Sequence, residues 1–178
     1  MRRIATLLIA SVAAACIQSS PPMADSATVA QWDSSAANAV RASVQKGLDA
    51  FAAMDLEAIK SVLAQDSWVQ TYDIDLENKP VRMATRDEAA KYAEDIFAEV
   101  KKMNGTLKVD TKVVDCRATA TLGFCAAEYD FSATMPDGRT TTQPTHTTIV
   151  LARGADGWKW VHWHSSLSSA APSASSAK

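Results

Sequence analysis

Gly157-Trp158-Lys159-Trp160-Val161-His162-Trp163-His164-Ser165-Ser166 is the stretch whose reading decides the fold. Aromatic and β-branched side chains suit a pleated, half-buried surface, so it reads as a β-strand. Strand side chains alternate between faces. Strict alternation puts Trp158, Trp160, His162 and His164 on one face, and Lys159, Val161, Trp163 and Ser165 on the other. Three of the five tryptophans and two of the three histidines fall here. An ordinary amphipathic strand has one solvated face. Two rich faces imply that both are covered, one by the domain interior and the other by a partner subunit.

Working upstream, the chain changes period at Asn104-Gly105. After it, alternating segments predict strands over Thr106 to Asp115, Phe124 to Thr134, Thr140 to Ala152 and Trp158 to Ser166. Pro136-Asp137-Gly138 and Gly154-Ala155-Asp156-Gly157 supply turn residues between the last three. In the second of these strands Cys125, Ala127, Tyr129, Phe131 and Ala133 share the face expected to look inward. Pro144 removes a ladder donor from the third, which implies an edge position or a bulge. Before Gly105 the period is helical. Apolar residues recur from Val29 through Trp32, Ala36, Val40, Val44, Leu48 and Phe51. Asp55 reads as the N-cap of a short helix carrying Leu56, Ile59 and Leu63. Thr85-Arg86-Asp87-Glu88 has capping-box spacing and opens a third helix with Ala89, Tyr92, Ile96 and Val100. Between these helices, Trp68 to Tyr72 reads as a short strand and Asp73 to Pro80 as a polar loop. Helices first and an antiparallel sheet second make an α+β arrangement.

The ends read differently. Arg2 and Arg3 precede an apolar run, Ile4 to Ala15, that falls short of the roughly 20 residues a membrane-spanning helix needs. Residues 1–15 therefore read as a secretory signal. Ala13-Ala14-Ala15 leads into Cys16, a pattern similar to a bacterial lipoprotein signal with its lipid-accepting cysteine, although Ala13 stands where that motif usually has leucine. The expectation is export to the periplasm or cell envelope, with a lipid anchor at Cys16 holding the protein to the membrane; ordinary secretory cleavage at the same Ala-x-Ala is the alternative. Residues 16–28, with Ser19-Ser20-Pro21-Pro22, read as a tether, 29–167 as the folded domain and 168–178 as a disordered tail. Of 178 residues 47% are hydrophobic and 21% charged, with net charge −2 and no basic run, so nucleic acid is not an expected partner. In an oxidising compartment Cys116 and Cys125, at the ends of neighbouring strands, are expected to form a disulfide. Two buried thiols are the alternative, since a one-residue register shift would set them on opposite faces.

From about Ala36 to Ser166 the chain resembles a SnoaL-like domain of the nuclear transport factor 2-like superfamily. The resemblance rests on Phe51-Ala-Ala-Met-Asp55-Leu-Glu-Ala-Ile59, on Pro136-Asp137-Gly138-Arg139, and on Asp156-Gly157-Trp158 running into Val161-His162-Trp163-His164-Ser165-Ser166. It implies a cone: a strongly curved antiparallel sheet wrapped around about three N-terminal helices, enclosing a cavity open at one end. The association domain of calcium/calmodulin-dependent kinase ends in a similar Val-His-aromatic-His segment. An arginine follows there where this chain has Ser165, so the anionic-ligand pocket does not carry over. Members include cyclases, isomerases, dehydratases, binders and oligomerisation hubs, so the resemblance speaks to fold more than to function.

No nucleophile elbow and no phosphate-cradling Gly-rich loop is present. His162 and His164 have the spacing of a metal pair, roughly 6.6 Å along a strand, but a catalytic metal needs about three protein ligands. No third is evident, so neither metal nor cofactor is expected. His146 lies in the threonine-rich stretch from Thr140, in phase with Thr148, and could act as a base from inside an apolar cavity. A strand histidine bonded to threonine hydroxyls is the plain alternative. Two functions stay open. One is a small-molecule-binding module, with Trp68, Tyr72, Tyr129, Phe131, His146, Thr148, Trp163 and His164 as candidate ligand contacts. The other is an acid-base enzyme acting on an apolar carbonyl compound, with His146 as base and Asp73 or Tyr72 assisting. A homodimerisation platform without ligand is a third reading.

Overall fold

The computed structural model describes residues 31–168. The expected signal, Cys16, the tether and the tail beyond Ser168 lie outside the described residues. Three helices come first among them: α1 (Ser34–Ala52), α2 (Leu56–Val62) and, after a hairpin, α3 (Arg86–Lys102). Asp33 caps α1, accepting from the Ser35 and Ala36 amides at 2.8 and 3.0 Å. Asp55 caps α2 through the Ala58 amide, and Thr85 caps α3 through Glu88. Capping sets the true start of α1 later than the apolar stripe implies. Trp32 precedes the helix and is exposed. The buried stripe of α1 is Ala36, Val40, Val44 and Leu48. Each large apolar side chain so buried contributes roughly 1.5–3 kcal/mol.

The sheet has six strands: β1 (Thr71–Ile74), β2 (Pro80–Met83), β3 (Thr106–Ala118), β4 (Leu122–Thr134), β5 (Thr140–Gly154) and β6 (Gly157–Leu167). Their spatial order is β2-β1-β6-β5-β4-β3, antiparallel throughout except where β1 meets β6. The result is an α+β fold of three N-terminal helices against a curved, mostly antiparallel sheet.

The polar segment Asp73 to Pro80 is a hairpin rather than a loop. Asp75 Oδ1 accepts from the Glu77 and Lys79 amides at 2.8 Å, and Asn78 takes the left-handed conformation (φ 63°) that its short polar side chain tolerates. β1 therefore starts at Thr71, later than the aromatic residues suggest. Pro144 pairs with Asp130 of β4 and sits one residue beyond the last β5–β6 pair, Thr145 with Leu167, so its missing N–H falls at the end of the β6 ladder, where the Ser168 amide donates to its carbonyl at 2.7 Å. Cys116 and Cys125 are paired across β3 and β4 with Cα atoms 4.2 Å apart and are joined by a disulfide beneath the helices.

The largest correction concerns β6. The register shifts between Val150 and Leu151, so that Val150 faces His162 and Leu151 faces Trp160. Val161 is the extra residue of a β-bulge, and the bulge resets the alternation. Trp160 and Trp163 therefore both turn inward, at 8% exposure each, while His162 and His164 lie on the outer face. Strict alternation, which grouped Trp160 with the histidines, fails at this one residue.

Candidate active or ligand-binding cavity

Between the helices and the concave face of the sheet lies a cavity of about 70 Å³. Leu48 and Phe51 from α1, Ile59 from α2, and Tyr92 and Ile96 from α3 form the helical wall. Asp73, Tyr129, Phe131, Gln143, Thr147 and Trp163 form the sheet wall. The helical wall is apolar apart from the Tyr92 hydroxyl, and the hydrogen-bonding groups collect along the strands.

Asp73 is the carboxylate of the site. Its Oδ1 accepts from the Ile74 amide at 2.8 Å and its Oδ2 from the Trp163 indole N–H at 2.8 Å. Burial pushes its pKa up to about 6; the Ile74 amide, Trp163, the Ser165 hydroxyl and the positive field of His164 pull the other way. By surface area Asp73 is only half-buried, yet it lines the cavity, so it borders enclosed space. Trp163 is held in turn by edge-to-face contacts with Trp68 at 5.4 Å and Trp160 at 6.0 Å.

Three hydroxyls on neighbouring strands form a run of their own. Thr147 Oγ1 lies 2.9 Å from Ser165 Oγ and 3.0 Å from the Tyr129 hydroxyl. Tyr92 donates to the Ile74 carbonyl at 2.7 Å. Burial, followed by the Asp73 carboxylate, raises the pKa of both phenols, so each stays protonated. Gln143 donates through its amide nitrogen to the Asp75 carbonyl at 2.7 Å and to Asn78 Oδ1 at 2.8 Å, which locks the β1–β2 turn to β5.

Of the candidate residues, the structure brings Asp73, Tyr129, Phe131 and Trp163 together, with Trp68 packed against Trp163 from outside the lining. It separates the others. His146 is on the outer face, half-exposed, 4.0 Å from the similarly exposed Glu128. As a base inside the cavity it is excluded by the parity of β5, whose buried positions are Gln143, Thr145, Thr147, Ile149 and Leu151. Thr148 shares the phase of His146 and pairs with His164. Tyr72 is 39% exposed and its ring lies against that of His164 at 5.8 Å. Neither Tyr72, Thr148 nor His164 reaches the cavity. The His162 ring is pinned to the Gln70 carbonyl at 2.7 Å. Among the described residues no three His, Cys, Asp or Glu side chains come close enough to hold a metal ion.

Tyr92, Gln143, Thr147 and Ser165 had not been singled out from the sequence. For Gln143 and Thr147 the signal was their phase with Ile149 and Leu151. For Tyr92 it was its place on the α3 stripe.

Residues 40–170 match the SnoaL-like domain family, and the chain belongs to it. Similar solved structures include a candidate dehydratase of the NTF2-like family from Streptomyces avermitilis, with TM-score 0.65 at 17% identity, covering 76% of this chain and 98% of that one. An NTF2-like superfamily protein from Salmonella enterica serovar Typhimurium gives TM-score 0.59 at 16% identity, covering 81% and 99%. A ketosteroid isomerase-like protein from Erwinia carotovora atroseptica gives 0.54 at 16%, covering 76% and 98%. At such identities the likeness concerns the fold. No curated protein sequence matches the chain.

Proposed function

We propose that the protein binds a small, largely apolar molecule in the cavity between its helices and its sheet. One observation carries this reading: the cavity walls are mostly apolar side chains, and a single carboxyl group, Asp73, stands among them with its hydrogen bonds already arranged. No histidine faces the cavity, so the His-acid pair that a two-residue acid-base site would use is missing among the described residues. Phe51, Phe131 and Trp163 supply the apolar contact area and Asp73 the orienting contact. Native mass spectrometry of protein purified from its own host tests the proposal. A retained small molecule that is lost in Phe131→Trp, which fills the cavity, supports it. An empty wild-type protein that also binds no apolar compound in calorimetry would refute it.

A second reading has its own support. A carboxyl group whose pKa burial raises to about 6, in a mostly apolar cavity, suits proton transfer near neutral pH. One similar structure is ketosteroid isomerase-like and another a candidate dehydratase. Here Asp73 would act as base, flanked by Tyr92 and Tyr129. Turnover of a hydroxylated or enolisable ring compound, abolished by Asp73→Asn with binding retained, would establish catalysis over binding. In the cell we place the protein in the envelope, anchored through Cys16 and paired as a homodimer through the outer sheet face.

A further inference from the structure

We infer that Tyr92 and Gln143 are positioning residues: from opposite walls they hold the tip of the β1–β2 hairpin down on the cavity, and with it the Asp73 carboxyl, and neither has a side-chain N–H or O–H left for a ligand. The inference rests on reading the cavity as the functional site and says what keeps that site assembled.

The hairpin is the part of the cavity wall that the sheet supports least. β2 is an edge strand, and β1 meets β6 in a single register pair, Tyr72 with His164, whereas β4 pairs with β5 along its whole length. The base of the hairpin is fixed, with Thr71 and Met83 fully buried. Its tip, residues 74–79, keeps its own shape. Asp75 Oδ1 accepts from the Glu77 and Lys79 amides, and the Asp75 amide donates to the Lys79 carbonyl at 2.9 Å. None of those bonds ties the tip to the rest of the molecule. Yet Asp73, Ile74 and Leu76 all line the cavity, so the position of the tip decides whether the lining is complete.

Among the described residues, three hydrogen bonds make that tie, and two side chains supply them. From α3, Tyr92 donates to the Ile74 carbonyl, directly after Asp73. From β5, Gln143 donates to the Asp75 carbonyl, one residue further on, and to Asn78 Oδ1 across the turn. A carbonyl only accepts, so Asp75 settles which end of the Gln143 amide points at the hairpin. Gln143 is 6% exposed, and burying an amide is unfavourable unless it is bonded. Both of its N–H groups serve the hairpin, as does the single hydrogen of the Tyr92 hydroxyl. Leu76 adds apolar contact, which is non-directional and does not fix where a carboxyl points. Without the three bonds the tip lifts about its base and water reaches Asp73.

Carbon-13 NMR titration of the Asp73 carboxyl in ligand-free protein, its resonance assigned by its loss in Asp73→Asn, tests the inference. Tyr92→Phe and Gln143→Met nearly keep side-chain shape and make the wall less polar. With the tip still in place, either would leave the Asp73 pKa at about 6 or push it higher, because less polar surroundings oppose ionisation. Loss of the tie has the opposite sign: the carboxyl gains water and its pKa falls towards 3.8. One ordinary hydrogen bond is a factor of about 5 in the balance between held and lifted tip, and two are a factor of about 30. The fall should therefore be larger in Gln143→Met than in Tyr92→Phe. The other ionisable groups facing Asp73, Tyr129 on β4 and His164 on β6, are the same in both variants. Val44→Ala, at a buried α1 position outside the lining, should lose stability and leave the titration where it was. An Asp73 pKa unchanged or raised in Gln143→Met overturns the inference, and so does an equal fall in Val44→Ala, which would mean general loosening. No ligand enters this experiment, so the binding reading stands or falls separately, by its own calorimetry.

Discussion

At the scale of single residues, Asp73 makes the strongest claim, because its environment opposes its charge. Its pKa is about 6 folded against 3.8 for the free side chain, so the native state holds the proton more tightly than the unfolded chain. The stability this contributes is fully present below about pH 4 and is lost as the pH rises through about 6, a swing of about 3 kcal/mol at most. Urea unfolding of wild type and Asp73→Asn at about pH 7.5 and 4.5 should show wild type gaining on the variant at the lower pH. Parallel behaviour would mean that Asp73 is better solvated than its place in the cavity implies. Tyr129→Phe removes one hydrogen bond from the run and should cost about 1 kcal/mol while leaving the fold unchanged, as read from the same unfolding curves.

At the scale of elements, close approach of α1 to β6 decides what each can carry. A Cβ added at Gly47 would lie 2.3 Å from the Trp160 ring. Alanine normally gains about 1 kcal/mol over glycine within a helix. Here Gly47→Ala should instead destabilise by roughly 1–3 kcal/mol through overpacking, and a stabilised variant would show that α1 does not rest on Trp160. The bulge at Val161 invites an equally sharp test. Deleting Val161 removes the extra residue, and regular pairing then keeps Trp160 opposite Leu151, His162 opposite Val150 and Trp163 opposite Ile149, with both tryptophans inward. The variant should keep cooperative thermal unfolding and its near-ultraviolet circular dichroism, at a cost of roughly 1–3 kcal/mol for the lost buried side chain, whereas loss of the tryptophan signal would show that Val161 is not the extra residue.

At the scale of the whole molecule, the disulfide ties the β3–β4 hairpin where it underlies α1. The loop it closes is short, with a sequence separation of 9, so the chain-entropy account gives roughly 2–3 kcal/mol. The double variant Cys116→Ser, Cys125→Ser should lose about that much in urea unfolding, and reductant should lower wild type towards the same midpoint. If the protein is anchored through Cys16, Cys16→Ser should move it from the membrane to the soluble envelope fraction. Unchanged membrane association in that variant would refute the anchor.

The α+β order, the helix starts at Asp55 and Thr85, the four long strands and the inward face of β4 were legible in the sequence. Each depends on local physics: a cap residue, a period of 3.6 or 2, a turn tripeptide. Membership in the SnoaL-like family followed from the same stretches. The cavity was only partly legible. Tyr129, Phe131, Trp163 and Asp73 were foreseen, but His146, Thr148, His164 and Tyr72 proved to face outward. The reason is that a strand pattern fixes which residues share a face, but not which face is the inside. On β6 the bulge at Val161 broke even that pattern, because its register depends on pairing with β5 rather than on its own residues. The hydrogen bonds that line the sheet wall belong wholly to the tertiary structure, since they join Asp73 on β1 to Trp163 on β6, and Tyr129 on β4 through Thr147 on β5 to Ser165 on β6.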